Sequence, residues 1–191
     1  MNIGKYTFDE FKEVVRKFHG YVAPGIIIGG YMVEKAKSAL PEGVIFDAAV
    51  ETVWCLPDAI QLLTPCTIGN GWMKIFDFGK FALSLYDKTD GKGFRAHLDI
   101  SKLDSRPAIK TWFLKLKPRS EQDTGKILEE IRLAADSICT VNRIVIRPEY
   151  LARREKNSIS ICKLCGEAFP SYHGDICPAC KGQSPYVINE Q

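Results

Sequence analysis

Apolar residues near the start of the chain recur with a helical period. Phe8, Phe11, Val14, Val15 and Phe18 fall on one stripe, and Thr7-Phe8-Asp9-Glu10 ahead of them is a capping box. The pattern predicts a helix from Thr7 to about Phe18, stopped by Gly20, and a second from Pro24 to near Leu40 whose Gly25, Gly29 and Gly30 permit close backbone approach. The period then changes to two. Val44, Phe46, Ala48, Val50, Thr52 and Trp54 alternate with neighbours that include Asp47 and Glu51, which predicts a half-buried strand ending by Cys55. Pro57 to Thr64 suits a short helix, and Pro65 to Gly71 a loop. Two alternating segments, Lys80 to Tyr86 and Phe94 to Ile100, flank an Asp90-Gly91 turn and predict a hairpin.

Further along, Trp112, Leu114 and Leu116 alternate with polar neighbours and predict another strand, closed by Pro118. Ile127, Leu128, Ile131, Ala134, Ala135 and Ile138 make Glu121 to about Cys139 the longest helix pattern, with Cys139 in its core stripe. A last short strand is expected at Ile144 to Arg147. Helices before and after hairpin-linked strands indicate an α+β fold, an antiparallel sheet with helices packed on it. Tyr150 to Asn157, with Arg153, Arg154, Glu155 and Lys156, reads as a polar linker. The expected division is a core domain over residues 1–154 and a small cysteine-rich unit over 155–191.

Composition narrows the class. With 191 residues, 46% apolar and 26% charged, the chain can bury a real core, and disorder, collagen and coiled coil are excluded. The longest uncharged stretches, Gly20 to Val33 and Ala59 to Met73, are shorter than the ~18 to 20 residues of a membrane span. The start lacks an apolar signal-peptide segment, so a cytoplasmic protein is expected. A net charge of +3 is too mild to indicate a polyanion partner.

Seven cysteines in a chain expected in a reducing compartment point to metal rather than disulfides, and four of them form two C-x2-C pairs, Cys162/Cys165 and Cys177/Cys180, eleven residues apart. Such pairs build two knuckles and an all-thiolate tetrahedral shell for a structural zinc; His173 is surplus to it. From Tyr150 to Gln191, five cations (Arg153, Arg154, Lys156, Lys163 and Lys181) oppose four acids (Glu155, Glu167, Asp175 and Glu190), which leaves no basic face for phosphates. The stretch from Ser105 to Ser120, with Arg106, Lys110, Lys115, Lys117 and Arg119 and no acid, is the one feature favouring nucleic acid.

In the core domain, polar and sulfur-bearing residues gather at turns: His19 at a helix end, Cys55 before a helix N-terminus, Asp58 and Gln61 on that helix, and Cys66 in its exit loop. A thiol before a helix N-terminus can be a low-pKa nucleophile or a metal ligand; the spacing fits equally a small buried cysteine and a helix-capping histidine.

The segments Phe18-His19-Gly20-Tyr21-Val22-Ala23-Pro24-Gly25, Glu51-Thr52, Cys55, Asp58-Ala59-Ile60-Gln61, Cys66-Thr67-Ile68-Gly69 and Asp77-Phe78-Gly79-Lys80 resemble, in order, the motifs of the family of the E-type subunit of formylmethanofuran dehydrogenase. The tail resembles the treble-clef zinc finger that many members carry. The resemblance implies a homodimer, a cytoplasmic anaerobic setting and association with a molybdenum or tungsten formylmethanofuran dehydrogenase, which fixes carbon dioxide as a formyl group in methanogenesis. It also implies functional roles for His19, Cys55, Cys66, Asp58, Gln61 and Lys80. His19, Cys55 and Cys66 would bind a second zinc or other transition metal, and Asp58 would orient His19. By strand alternation Glu51, four residues before Cys55, either lines the cavity beside it or pairs with a surface lysine. Two positions depart from the family: Tyr21 stands where relatives carry a second histidine and Ala23 where they carry a cysteine. The loop after Cys66 reads Gly69-Asn70-Gly71-Trp72, where relatives carry Lys and Asn.

The favoured reading is thus a metal-binding accessory protein of one-carbon metabolism. A metal- or thiol-dependent enzyme using His19 and Cys55 is the alternative, and a nucleic-acid-binding regulator the least favoured.

Overall fold

The computed structural model describes residues 1–151 and 158–187, which fall into two compact units, Met1–Leu151 and Ala152–Gln191. The expected 154/155 border and the charged linker residues 153–156 lie outside the described residues.

In the first unit, α1 (Phe8–His19) starts with both bonds of the capping box: Glu10 N–H donates to Thr7 Oγ1 and Thr7 N–H to the Glu10 carboxylate. It stops at Gly20, whose φ of 93° takes the left-handed turn. Helix α2 (Pro24–Ala39) has Pro at its first position and runs buried through most of its length, from Gly25 to Val33 without interruption. Then follow β1 (Phe46–Val50), α3 (Leu56–Leu63), β2 (Met73–Ile75), β3 (Ala82–Asp87), β4 (Lys92–Leu98), α4 (Pro107–Phe113), α5 (Thr124–Ala134), β5 (Cys139–Val145) and α6 (Pro148–Leu151). The sheet order is β2-β1-β3-β4-β5. Every pairing is antiparallel except β1 with β2. Helix α2 lies on the face formed by Leu83, Leu85, Ala96 and Leu98, and α3 and α5 pack against α2.

Four expected elements change. The strand expected to run to Trp54 ends at Val50, because the Glu51 carbonyl accepts N–H groups from Phe78 and Lys80 and the chain turns away. The expected strand around Trp112 is helical: Pro107 opens α4, and the Glu130 carboxylate accepts the free N–H groups of Ala108 and Ile109 at 2.9 and 3.0 Å, satisfying a helix start from a neighbouring helix. The long helix is cut at Ala135, whose φ is 48°, so Cys139 opens β5 opposite Leu98. Cys139 is still fully buried in the core. The last strand is accordingly longer than expected. Strand β2, too short for an alternation to show, was not expected at all.

The second unit has an antiparallel pair, β6 (Ile159–Ile161) and β7 (Ala168–Pro170), and a short helical turn at Ala179–Gln183. Cys162, Phe169 and Cys177 form its small core, with Ile176 against them.

Candidate metal centres

The four finger cysteines converge. Their sulfurs all lie within 4.8 Å of one another, and no other group of three or more ligand atoms does so among the described residues. Gly166, at φ 75°, turns the first knuckle, and its N–H donates to the Cys162 carbonyl at 2.9 Å. Backbone N–H groups point at sulfur: Cys177 N–H at Cys162 Sγ and Cys180 N–H at Cys177 Sγ, both 3.4 Å. A tetrahedral shell with bonds of about 2.3 Å separates its sulfurs by about 3.8 Å, and Cys165 Sγ lies 3.9 Å from Cys177 Sγ. The electrostatics also call for a cation. Backbone N–H groups lower the Cys162 thiol to about 6, whereas its sulfur neighbours, Cys177 first, push Cys180 up to about 12. Four thiols this close become thiolates together only around a positive ion. His173 packs its ring on Tyr172 and is not part of the cluster.

In the first unit the structure pairs His19 with Asp58 and sets Cys55 at the start of the helix that carries Asp58. His19 ends α1, and its Nδ1 lies 2.7 Å from Oδ2 of Asp58 in the first turn of α3. Cys55 is the N-cap of that same helix, held at φ 60°, a conformation disfavoured for a residue with a Cβ. A Cβ on Gly25 would sit 2.8 Å from Cys55 Sγ, so the start of α2 closes over the thiol. Burial, and then the Asp58 carboxylate, push that thiol up. The expected lowering by the helix N-terminus is therefore overridden by desolvation and a nearby negative charge. Tyr21 fills the place of the relatives' second histidine with its ring 4.7 Å from the His19 ring, and Ala23 is a buried methyl.

The other expected residues lie apart from this trio. Cys66 follows the far end of α3, and an eight-residue helix spans about 12 Å. Its buried sulfur donates to the Phe46 carbonyl at 3.6 Å, and burial pushes its thiol up as well. Gln61 Oε1 accepts the Ile68 N–H at 3.4 Å, which ties the loop after Cys66 to α3. Lys80 has an exposed side chain, with its N–H on the Glu51 carbonyl at 3.1 Å. Glu51 turns to β4 rather than to Cys55: its carboxylate takes Arg95 Nε at 2.5 Å and Nη2 at 2.9 Å. Arg95 and His97 were missed, although period two along β4 puts them on one face opposite Glu51. An open cleft of about 450 Å³ between the end of α2 and the β4–β5 edge is lined by none of the expected site residues.

An α+β core unit followed by a four-cysteine finger defines a zinc-finger-bearing, metal-binding protein. Residues 18–145 match the family described as FmdE, molybdenum formylmethanofuran dehydrogenase operon, and residues 153–187 match the FmdE treble-clef zinc finger. The chain belongs to the FmdE family. A crystal structure of a tungsten formylmethanofuran dehydrogenase FmdE-like protein from Syntrophus aciditrophicus is similar throughout, with 46% identity, a TM-score of 0.91 and coverage of 97% of this chain and 98% of that one. A probable S-adenosyl-L-methionine-binding protein of Archaeoglobus fulgidus is 30% identical over 129 residues, covering 60% of this chain but 35% of that protein. The chain thus spans about a third of that relative's length. No described helix is long and apolar enough to cross a membrane.

Proposed function

We propose that the chain is a metal-binding accessory protein of one-carbon metabolism, with a structural zinc in the finger and a second divalent transition metal at His19 and Cys55. The His19–Asp58 bond carries this reading. A carboxylate on Nδ1 fixes the tautomer and leaves Nε2 free as a ligand, the arrangement that orients metal-binding histidines. The donor set fits an open site. His19 and Cys55 supply nitrogen and sulfur, which suit zinc, while Tyr21 and Ala23 take up two positions without an imidazole or thiolate, so solvent or a small ligand would complete the shell. Cys66, behind α3, is not part of it.

The reading extends to docking on a molybdenum or tungsten dehydrogenase, supported by the likeness to a protein described as FmdE-like, and to cytoplasmic placement and self-association as a homodimer, which the family resemblance implies. Nucleic acid is left aside: in the finger, Lys163 pairs with Asp175 and Lys181 donates to the His173 carbonyl.

Metal content per chain tests the core site. Protein purified without added metal is expected to hold about two equivalents, falling to about one in His19→Ala and in Cys55→Ala. One equivalent in the parent protein, with the finger cysteines intact, overturns the second site.

A further inference from the structure

The sheet face away from α2 carries a second constellation. Row by row, Ala49, Ser84, Arg95 and Asn142 stand opposite one another, as do Ala82, His97 and Thr140, with Glu51 beside Ala82. Small Ala49, Ala82 and Ser84 form a floor, and Glu51, Arg95 and His97 rise around it.

The hydrogen bonds fix the state of each member. Glu51 takes Nε and Nη2 of Arg95 as a fork, so its charge is spent on the guanidinium. The remaining Nη1 lies 3.4 Å from His97 Nδ1. A guanidinium only donates, so Nδ1 is the acceptor and the ring proton sits on Nε2. Burial, and next the Arg95 charge, hold the His97 imidazole below its ordinary value, which keeps it neutral. His97 therefore presents a fixed Nε2–H. Lys80 is tied to the same corner by its N–H, which donates to the Glu51 carbonyl at 3.1 Å, and its exposed side chain adds a positive charge that helps lower the Glu51 carboxyl. Two carboxylates act on this face: Glu51 is neutralised by its fork, and Asp99, whose charge reaches His97, accepts the Thr140 hydroxyl at 2.6 Å and lies 3.8 Å from Lys102 Nζ. With both paired, the site offers donors and, from Lys80, a surplus positive charge.

We propose that Arg95, His97 and Lys80 form a binding site for a small oxyanion, a carboxylate or phosphate group, on the sheet face away from α2, at the rim of the buried Ala49, Ala82 and Ser84. The ligand's oxygens would take the His97 Nε2–H and the Lys80 ammonium, with the Glu51–Arg95 pair holding the imidazole in place. This site is separate from the His19–Cys55 centre and does not depend on it.

The test titrates the full-length, zinc-loaded protein with inorganic phosphate and separately with acetate, following histidine ring nitrogens by NMR. The expected result is saturable movement of the His97 Nε2 resonance with at least one probe, and binding weakened about tenfold or more in Lys80→Gln, the loss expected for one charge-assisted hydrogen bond. Binding is expected unchanged in Lys17→Gln, which replaces an exposed cation on α1. Saturation by acetate alone assigns the site to carboxylates, and by phosphate alone to phosphate groups. Movement that never saturates with either probe, or that is equal in Lys80→Gln and the parent, overturns the proposal.

Discussion

Gly25→Ala probes the junction between α2 and Cys55. The added methyl would meet Cys55 Sγ at 2.8 Å and Cys55 Cβ at 3.0 Å, with Phe81 Cζ at 3.5 Å behind them. Carbon and sulfur settle near 3.5 to 4 Å, so the thiol side must yield by roughly 1 Å. Cys55 has little room to yield, because its backbone already sits at φ 60° between Trp54 and the first turn of α3. Overpacking of this kind costs about 1 to 3 kcal/mol. The gain in helix propensity from Gly to Ala returns up to about 1 kcal/mol, less at the first turn than mid-helix. A net loss of about 1 to 2 kcal/mol follows, which lowers the Tm by about 2 to 8 °C for a unit of this size. The assay is thermal unfolding in chelator, so that metal release does not contribute. Removing the sulfur should ease the conflict, leaving the 3.0 Å contact with the Cβ: adding Gly25→Ala to Cys55→Ala is expected to cost less than adding it to the parent, with a coupling of about 0.5 kcal/mol or more. A higher Tm for Gly25→Ala, or strict additivity with Cys55→Ala, would refute the placement of Cys55 under α2.

Other outcomes follow from single contacts. Cys165→Ser is expected to lower metal content by about one equivalent whatever the state of His19, read by metal analysis of the purified chain. Thr7→Ala removes the capping box of α1 and should cost about 1 kcal/mol in urea unfolding. Glu51→Gln leaves Arg95 with a weaker partner and should cost about 1 to 3 kcal/mol at neutral pH. The Glu51 carboxyl is lowered from 4.5 chiefly by its bond to Arg95. Its contribution is therefore complete above 4.5 and lost as pH falls through the lower folded value, and the Gln variant should lose that part of the acid slope. Asp99, held down to about 2 by the Ser101 and Thr140 hydroxyls, gives the same sign over pH 4 to 2, and Asp99→Asn should flatten that limb.

Much of the fold was legible because local chemistry and tertiary structure agree. Thr7 and Glu10 begin a helix in the sequence and in the structure, Gly20 ends it, and Asp90-Gly91 turns the hairpin that joins β3 to β4. Where reading failed, a distant partner decided. Alternation at Trp112 to Leu116 is compatible with a strand until Glu130, 22 and 21 residues beyond the Ala108 and Ile109 N–H groups it accepts, caps the helix that forms instead. Cys139 continues the apolar stripe of α5, but Ala135 reverses the chain, and the vacant edge of β4 takes the segment as a strand. Neither Glu130 nor β4 is local to the residues it redirects.

The same distinction separates the two candidate sites. Cysteine spacing is a local signal, and the finger cluster is assembled as the two C-x2-C pairs imply. For the core site, residue types in turns located His19 and Asp58, which α1 and α3 pair, and Cys55 at the start of α3. Spacing does not reveal that α3 divides Cys55 from Cys66, or that Glu51, four residues before Cys55, leaves it for Arg95 on β4. A strand residue chooses its partner across the sheet, so its role depends on register, and register is set by the whole core. For that reason the Glu51–Arg95–His97 face emerged only once β1, β3 and β4 were aligned. If Glu51 belonged to the His19 centre, Glu51→Gln would lower metal content; the alignment requires instead that it leave metal content unchanged and alter His97.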